Sequence, residues 1–240
     1  MKGIKIVIML LMFSLFINSI IIVGATSQGY PTHPISKERR EELSNSINLS
    51  KMTKEPEKRG VECFAVNEEG LLAVGLGALS KKEIAVYSPD GVFQYGYTFN
   101  KDGEFGIEWE NDQIVIYFIR GDFAVAVTAE GKIERIVEIL PPDSDSAYRK
   151  HPAFATKQMA NEKEYVLKNG LGFWSFFVSG YTQIEVTDSL GNVQTIYDAD
   201  QSQQISAIIV FAFILLFAGI VLVPIIRQIV RFVKNEVLDH

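Results

Sequence analysis

The segment "ISAIIVFAFILLFAGIVLVPII", residues 205–226, contains 22 residues and no charged side chain. A helix needs about 20 predominantly apolar residues to cross the hydrocarbon core of a bilayer. Unpaired backbone polar groups are costly in lipid, so a run of this kind crosses only as a helix. It is also too long and too uniformly apolar for a buried helix in a chain of 240 residues. The sequence therefore predicts a transmembrane helix over 205–226.

A second apolar run lies near the N-terminus, in "MKGIKIVIMLLMFSLFINSIIIVGA". Its 18 residues from 6 to 23 would extend about 27 Å as a helix, close to the thickness of the core. A cleaved signal peptide is the alternative, but its apolar part is normally only about 7–15 residues long. We interpret 6–25 as a second transmembrane helix, and cleavage after Ala25 stays open.

Short basic flanks predict the orientation of these two helices. Lysines precede the first run and basic residues follow the second, and such residues favour the cytoplasm. We therefore expect residues 1–5 and the amphipathic tail 227–240 to be cytoplasmic, with the tail continuing the helix. The intervening chain is then exported; from 61 to 204 it has 22 acidic against 11 basic residues, a net charge of −11. The basic flanking residues are Lys2, Lys5, Arg227, Arg231 and Lys234.

Residues 26–60 are polar and contain three prolines. Ser36 is placed to cap a short helix that runs through Leu43 or Ile47. Its apolar stripe is narrow, so we interpret 26–60 as a polar spacer near the membrane.

Residues 61–200 contain three copies of one pattern. Each copy has an alternating strand, a polar turn, an apolar strand that ends on glycine, a third strand, and a glycine turn into a fourth strand. The quoted turn "SPDG" suits a tight reversal, because proline presets φ and Gly91 can adopt positive φ. The copies span 63–99, 104–139 and 164–198, and residues 140–161 form an insertion.

Four short strands in about 40 residues is the period of a propeller blade. The first copy, with a phenylalanine, an acidic-glycine turn, "IAVY" and "DG", resembles the NHL and related β-propeller repeats. The resemblance covers 63–99 best, then 104–139, and least 164–198. It implies an all-β exported domain of about 12 short antiparallel strands between two transmembrane helices.

Three copies are fewer than the roughly four to eight blades of a closed propeller. An open sheet stack or small sandwich is one solution. Completion in trans is the other, because an unpaired edge strand exposes hydrogen-bonding groups that a second chain or another protein could pair.

The residue types needed for catalysis are sparse, and the sequence predicts no catalytic, cofactor-binding or metal-binding set. Cys63 is the only cysteine and is interpreted as a small core residue. Asp143 and Asp145 offer fewer oxygens than calcium requires. The acidic exported domain gives no support for nucleic-acid binding, and uncharged spans offer no ion path.

Two aromatic features remain. "FWSFFV", residues 173–178, is apolar on both faces and predicts a central strand buried on both sides. A ligand platform or contact with the bilayer surface is the alternative. Trp109 lies on an alternating strand and is predicted to be core.

These features predict a membrane-anchored extracytoplasmic binding or assembly module, an accessory subunit or sensor, whose β domain is the interaction surface. Its partners would be the lipid bilayer and a protein, or a second copy, that completes the β edge. One alternative is a surface hydrolase that uses Asp143, Asp145 and His151 from the insertion. Another is a structural spacer without a specific ligand.

Overall fold

Most of the described strands of this protein coincide with apolar segments of the three repeats. The computed structural model describes residues 31–77, 81–140, 151–178 and 180–238. Within them the chain forms three antiparallel sheets and two α-helices. The predicted span 6–25 lies outside the described residues, as do Asp143 and Asp145.

Each sheet contains one four-strand meander, and two sheets carry a fifth strand. Sheet 1 has the order β2-β6-β5-β4-β3, sheet 2 the order β1-β10-β9-β8-β7, and sheet 3 the order β11-β12-β13-β14. The prediction of a β-rich domain is confirmed: 12 described strands lie within residues 61–200, as expected, and two further strands, β1 and β2, lie before residue 61. The strands are β1 Thr32–Pro34, β2 Ser50–Met52, β3 Val61–Val66, β4 Leu72–Leu76, β5 Lys81–Tyr87, β6 Phe93–Asn100, β7 Phe105–Glu110, β8 Gln113–Phe118, β9 Phe123–Val127, β10 Ile133–Ile139, β11 Lys157–Ala160, β12 Lys163–Lys168, β13 Gln183–Thr187 and β14 Val193–Asp198; the helices are α1 Lys37–Ile47 and α2 Asp200–Leu238.

Sheet 1 is the middle layer, because its strands are apolar on both faces. Cys63, Ala65 and alternate residues after them pack against sheet 2, whereas Phe64 and its alternates pack against sheet 3. A sheet covered on both sides reads as near-continuous apolar runs, which is what "LLAVGLG" shows. The outer face of sheet 2 carries a smaller apolar cluster, which packs against Ala153 and Phe154.

The described residues form an open stack of sheets and not a closed propeller. The first strands of the three four-strand meanders, β3, β7 and β11, lie side by side, with β3 in the centre. The outer face of sheet 3 is polar and carries the ion pairs Lys157–Glu164 and Lys168–Glu185. A fourth blade would have to bury those charges, which is costly.

The polar segment before the repeats takes part in this stack. Ser36 caps α1 by accepting a hydrogen bond from Arg39 N at 3.2 Å, as predicted. Leu43 and Ile47 of α1 are buried in the core between sheets 1 and 2. Strand β1 pairs with β10, and β2 pairs with β6.

The prediction of a buried strand over 173–178 is wrong. Residues Gly172–Phe177 form a 3₁₀ helix, and Phe173 and Phe176 are 62 % and 81 % exposed. Sheet 3 has one apolar face, so its strands take alternating segments such as "QIEVT". A run that is apolar on both faces has no position in such a sheet.

The first strand of sheet 3 comes from residues interpreted as an insertion. Strand β11, Lys157–Ala160, pairs with β12 through a two-residue turn in which Asn161 and Glu162 both have positive φ. Two consecutive positive φ values fit the type I′ hairpin that joins twisted strands. The third glycine turn, "DSLG", has the same length as "SPDG", with equivalent backbone bonds at Asp188–Gly191 and Ser88–Gly91.

Helix α2 is long and apolar enough to cross a membrane, with a mean hydropathy of 3.1 in its most apolar window over Asp200–Gln228. It contains the predicted span 205–226 and, as predicted, continues through the tail to Leu238. Among the described residues it is the one helix with this property.

Candidate interaction surface

The β domain has two distinct ends. Strand β14 runs toward α2, and its last residue, Asp198, pairs with Gln183 at the start of β13. Val61, the first residue of β3, forms a bridge with Tyr181, so it lies at this end too. We call this the helix end. Strand–strand turns at 67–71, 88–92, 128–132 and 188–192 lie at the opposite end, the turn end.

Helix α2 is joined to the helix end by partly buried polar contacts. Ser202 Oγ donates to Lys58 O at 2.7 Å, and Gln183 Nε2 donates to Asp200 Oδ2 at 2.8 Å. The Tyr197 hydroxyl accepts from Arg59 N at 2.9 Å and donates to Arg59 O at 2.8 Å. Burial raises the pKa of Tyr197 to about 12, so it stays protonated as a donor. The β domain and the first turns of α2 are therefore fixed together.

The turn end carries the same glycine turn in every repeat. Gly91, Gly131 and Gly191 all have positive φ, and each donates to the residue three positions earlier. Each of these three turns carries one acidic residue: Asp90, Glu130 or Asp188. A cavity of about 310 Å³ opens here beside Trp109, whose ring is half-buried and whose Nε1 donates to Ala65 O at 3.3 Å. The described residues contain no group of carboxylates, cysteines or histidines arranged to hold a metal ion.

The outer edges of the three sheets differ. In sheet 2 the outer strand β10 is covered by β1, and in sheet 1 the outer strand β6 is covered by β2. Strand β14 is the last strand of sheet 3, with no strand beyond it in the part of the chain that the structure describes. An uncovered outer strand is a ready template for another chain.

The geometry of β14 shows which backbone groups face outward. The hairpin closes with the bond from Asp188 N to Asn192 O, and antiparallel ladders alternate from such a pair. Val193 and Thr195, one and three positions further along, therefore direct their N–H and C=O groups away from β13. The strand contains no lysine or proline, which commonly protect edges. Val193 is 61 % exposed.

A second cavity, of about 570 Å³, lies at the helix end between the starts of β3 and β7. Arg59, Glu62 and Gln203 are among its lining residues. The two charged residues are paired within the protein, because Arg59 pairs with Glu83, and Lys82 pairs with Glu62 at 2.8 Å.

Of the predicted hydrolase residues, the structure describes His151, whereas Asp143 and Asp145 lie outside the described residues. His151 is 7 % exposed, its ring lies 5.0 Å from that of Tyr117, and its Nδ1 accepts from Ala153 N at 3.1 Å. Burial lowers the pKa of His151 to about 4, so the ring is neutral at pH 7. It caps the 3₁₀ turn Pro152–Phe154 and packs against Tyr117 on the outer face of sheet 2, which is a structural role.

Cys63 is 1 % exposed, and the prediction of a core residue is confirmed. Burial raises its pKa well above the usual value, so the reactive thiolate is suppressed. Trp109, also predicted as core, is only half-buried and packs at the margin of the core between sheets 1 and 2.

Sequence reasoning did not locate the open edge at β14. Its six residues resemble those of the other outer strands, and only the placement of β1 and β2 distinguishes them. A comparison with models of known protein families found no match, and neither did a comparison with curated protein sequences.

Proposed function

We propose that this protein is a membrane-anchored, extracytoplasmic binding module that takes up an extended segment of another protein along β14. The single observation that carries the proposal is the contrast of outer edges: β10 and β6 each pair over three residues with a further strand of the chain itself, whereas no further strand among the described residues pairs with β14. Main-chain hydrogen bonds from an added strand give affinity, and side-chain pockets give specificity.

Anchoring is supported by α2 and by the point at which the chain enters the β domain. Leu140 N donates to Pro31 O at 3.0 Å, and Thr32 pairs with Ile139. Ile139 N in turn donates to Asp122 O, beside Phe123 at the helix end. The chain therefore enters the β domain at the end from which α2 leaves. This arrangement suits a hairpin with both termini in the cytoplasm and the turn end farthest from the bilayer.

The membrane restricts which strand can pair with β14. Two copies anchored in one membrane present β14 in the same direction, toward the bilayer, so they could pair only in parallel. Parallel pairing is slightly less stable per residue than antiparallel pairing. An antiparallel partner strand must run away from the membrane, which a different protein can supply. We therefore favour a foreign segment over a second copy.

The outer face of sheet 3 indicates the chemistry of that segment. Beside β14 this face presents Glu185 and Thr187 on β13, and Val193 on β14 itself. A bound strand would place alternate side chains level with these groups. A segment that alternates basic and small apolar residues fits this row best.

The exported placement can be tested with a single introduced thiol. Leu190 is 85 % exposed at the turn end, and the native Cys63 is buried. In intact cells, Leu190→Cys should react with a membrane-impermeant maleimide, while the wild-type chain should not. Labelling that requires cell lysis would place the domain in the cytoplasm and contradict the proposal.

The edge can be tested with a photoreactive residue. Thr195→p-benzoylphenylalanine in the full chain, irradiated in native membranes, should give an adduct with a different protein. The matched control is the same replacement at Thr98, which lies on an outer strand that β2 covers. Val193→Pro should abolish the Thr195 adduct, because it removes an outward N–H and no bond to β13. An adduct between two copies, or no adduct at Thr195, overturns strand addition from a foreign protein.

A further inference from the structure

The residues Gly172–Phe177, which we call the aromatic segment, connect β12 to β13 at the helix end. Its four aromatic side chains form one cluster, with ring centroids of Phe173 lying 5.6 Å from Trp174, 6.2 Å from Phe176 and 5.7 Å from Phe177. Phe173 and Phe176 are largely exposed to solvent in the isolated chain. An exposed apolar patch of this kind marks a site of contact with another protein or with a membrane.

The aromatic segment packs directly against the predicted membrane span. The rings of Trp174 and Phe177 lie 5.8 Å and 5.2 Å from that of Phe211 on α2. Ala207, one turn earlier, is fully buried. The exposed apolar surface of the aromatic segment is therefore continuous with the apolar surface of α2.

The position of Phe211 along α2 gives the depth of this contact in the bilayer. The apolar run of α2 begins at Ile205, and Phe211 lies six residues further along. At 1.5 Å per residue this places the contact about 9 Å into the run. Interfacial segments bury their apolar faces about 5–10 Å into the boundary between headgroups and acyl chains.

The composition of the whole connection agrees with that depth. No charged residue occurs between Lys168 and Glu185 in the sequence. Tryptophan is enriched at membrane–water interfaces, and interfacial segments carry tryptophan, phenylalanine and leucine on the face that enters the acyl chains. The ion pair of Lys168 with Glu185, at 3.8 Å, marks the polar side of this boundary.

We infer that the aromatic segment is a second membrane contact, which inserts into the lipid interface beside α2 and holds the helix end of the β domain against the bilayer. The inference rests on the membrane anchoring of the proposed function. It adds a specific surface and a specific occupant, the outer leaflet of the bilayer. With two contacts, the tilt of the β domain is fixed, and the open edge at β14 is held at a defined angle to the membrane.

The two tryptophans provide a matched experiment. Trp174 lies in the aromatic segment, whereas Trp109 lies toward the turn end. Trp109 is four residues beyond Phe105 on β7, or about 13 Å farther from the membrane. The full chain is reconstituted into phosphatidylcholine vesicles that contain lipids brominated high in the acyl chain. Trp109→Phe leaves Trp174 as the only tryptophan, and Trp174→Phe leaves Trp109.

We expect the emission of Trp174 to be blue-shifted and to lose most of its intensity, and that of Trp109 to be unchanged. Phe173→Ser with Phe176→Ser, in the Trp109→Phe chain, should reduce the quenching. Val92→Ser with Leu190→Ser, which alters exposed apolar residues at the turn end, should leave it unchanged. If Trp109→Phe fails to fold, the wild-type signal minus that of Trp174→Phe gives the same quantity.

The outcomes separate this inference from the anchoring on which it rests. Flotation of the vesicles reports anchoring: a chain that does not float with them contradicts the proposed function itself. A chain that floats but shows an unquenched Trp174 overturns the aromatic contact and leaves the anchor standing. A Trp174 that is unquenched but blue-shifted would show that protein, and not lipid, covers the aromatic segment, which also overturns the inference.

Discussion

Sheets 1 and 3 are built from the same four-strand pattern and close with the same glycine turn, yet they meet different surroundings. Sheet 1 is buried on both faces, and its outer edge is covered by β2. Sheet 3 has one buried face, a polar outer face and an outer strand that no further described strand covers, and it carries the connection to α2. Position in the stack, and not the strand pattern, therefore decides which surfaces of a sheet remain uncovered.

The strongest test of this contrast compares two phenylalanines. Phe64 in sheet 1 is fully buried, and Phe176 in the aromatic segment is 81 % exposed. Phe64→Ala should lower the free energy of unfolding by about 3–5 kcal/mol, because it leaves a cavity in a packed core. Phe176→Ala should change it by less than about 0.5 kcal/mol.

Both values can be measured by urea unfolding of the detergent-solubilised chain, followed by near-UV circular dichroism. A loss at Phe176→Ala as large as that at Phe64→Ala would mean that the aromatic segment is part of the folded core. The inferred role at the lipid interface would then lose its basis.

The burial of His151 against the outer face of sheet 2 predicts a smaller effect on stability, which depends on pH. The pKa of His151 is about 4 in the folded protein, below the roughly 6.5 of an unfolded histidine. Between these values the unfolded chain binds more protons, so the stability rises with pH. The contribution of His151 is fully present above about pH 6.5 and is lost as the pH falls toward 4, by on the order of 2 kcal/mol.

His151→Asn keeps an acceptor for Ala153 N and removes the titrating ring. Urea unfolding at a series of pH values should show a shallower slope for this variant between pH 4 and 6.5. Identical slopes for the variant and the wild-type chain would contradict a buried, neutral His151.

The smallest predicted effect is the difference in stability between alanine substitutions at the same turn position in sheets 2 and 3. Gly131 and Gly191 have φ values of +86° and +84°, so alanine at either position meets the same backbone cost, about 1–2 kcal/mol. An added Cβ at Gly131 would lie 3.0 Å from Lys51 Cβ beside β2, whereas at Gly191 nothing lies within 4 Å.

Gly131→Ala should therefore be more destabilising than Gly191→Ala, by up to about 1 kcal/mol. Thermal unfolding of the two variants under one detergent condition gives the difference. Equal losses of stability in the two variants would show that β2 shifts to accommodate the added methyl group at no cost in free energy.

Much of this architecture can be read from local patterns. The period of the repeats predicted three four-strand units, and the proline–glycine turn chemistry located Gly91, Gly131 and Gly191. The cap at Ser36 and the continuation of α2 through the tail were also predictable, because each depends on neighbouring residues only. Buried Cys63 followed from its place at the start of an apolar strand.

The errors and omissions have a common cause. The apolar pattern of "FWSFFV" is compatible with a strand buried on both faces and with a short helix beside the membrane. Sheet 3 has a polar outer face, and only this feature excludes the strand. The turn at Asn161–Glu162 carries no glycine, so β11 was hidden inside an apparent insertion. The role of β1 and β2 as covers of outer edges depends on pairings between residues more than 40 positions apart.

By itself, the sequence determined the lipid-compatible helix, the strand-rich domain before it and the turns, because hydrophobicity and backbone preferences act over a few residues. The tertiary structure alone decided the order of the layers, the uncovered strand β14 and the aromatic segment beside Phe211. Those features depend on which apolar faces pack against each other. A face can be identified as exposed only when the packing of all the other faces is known.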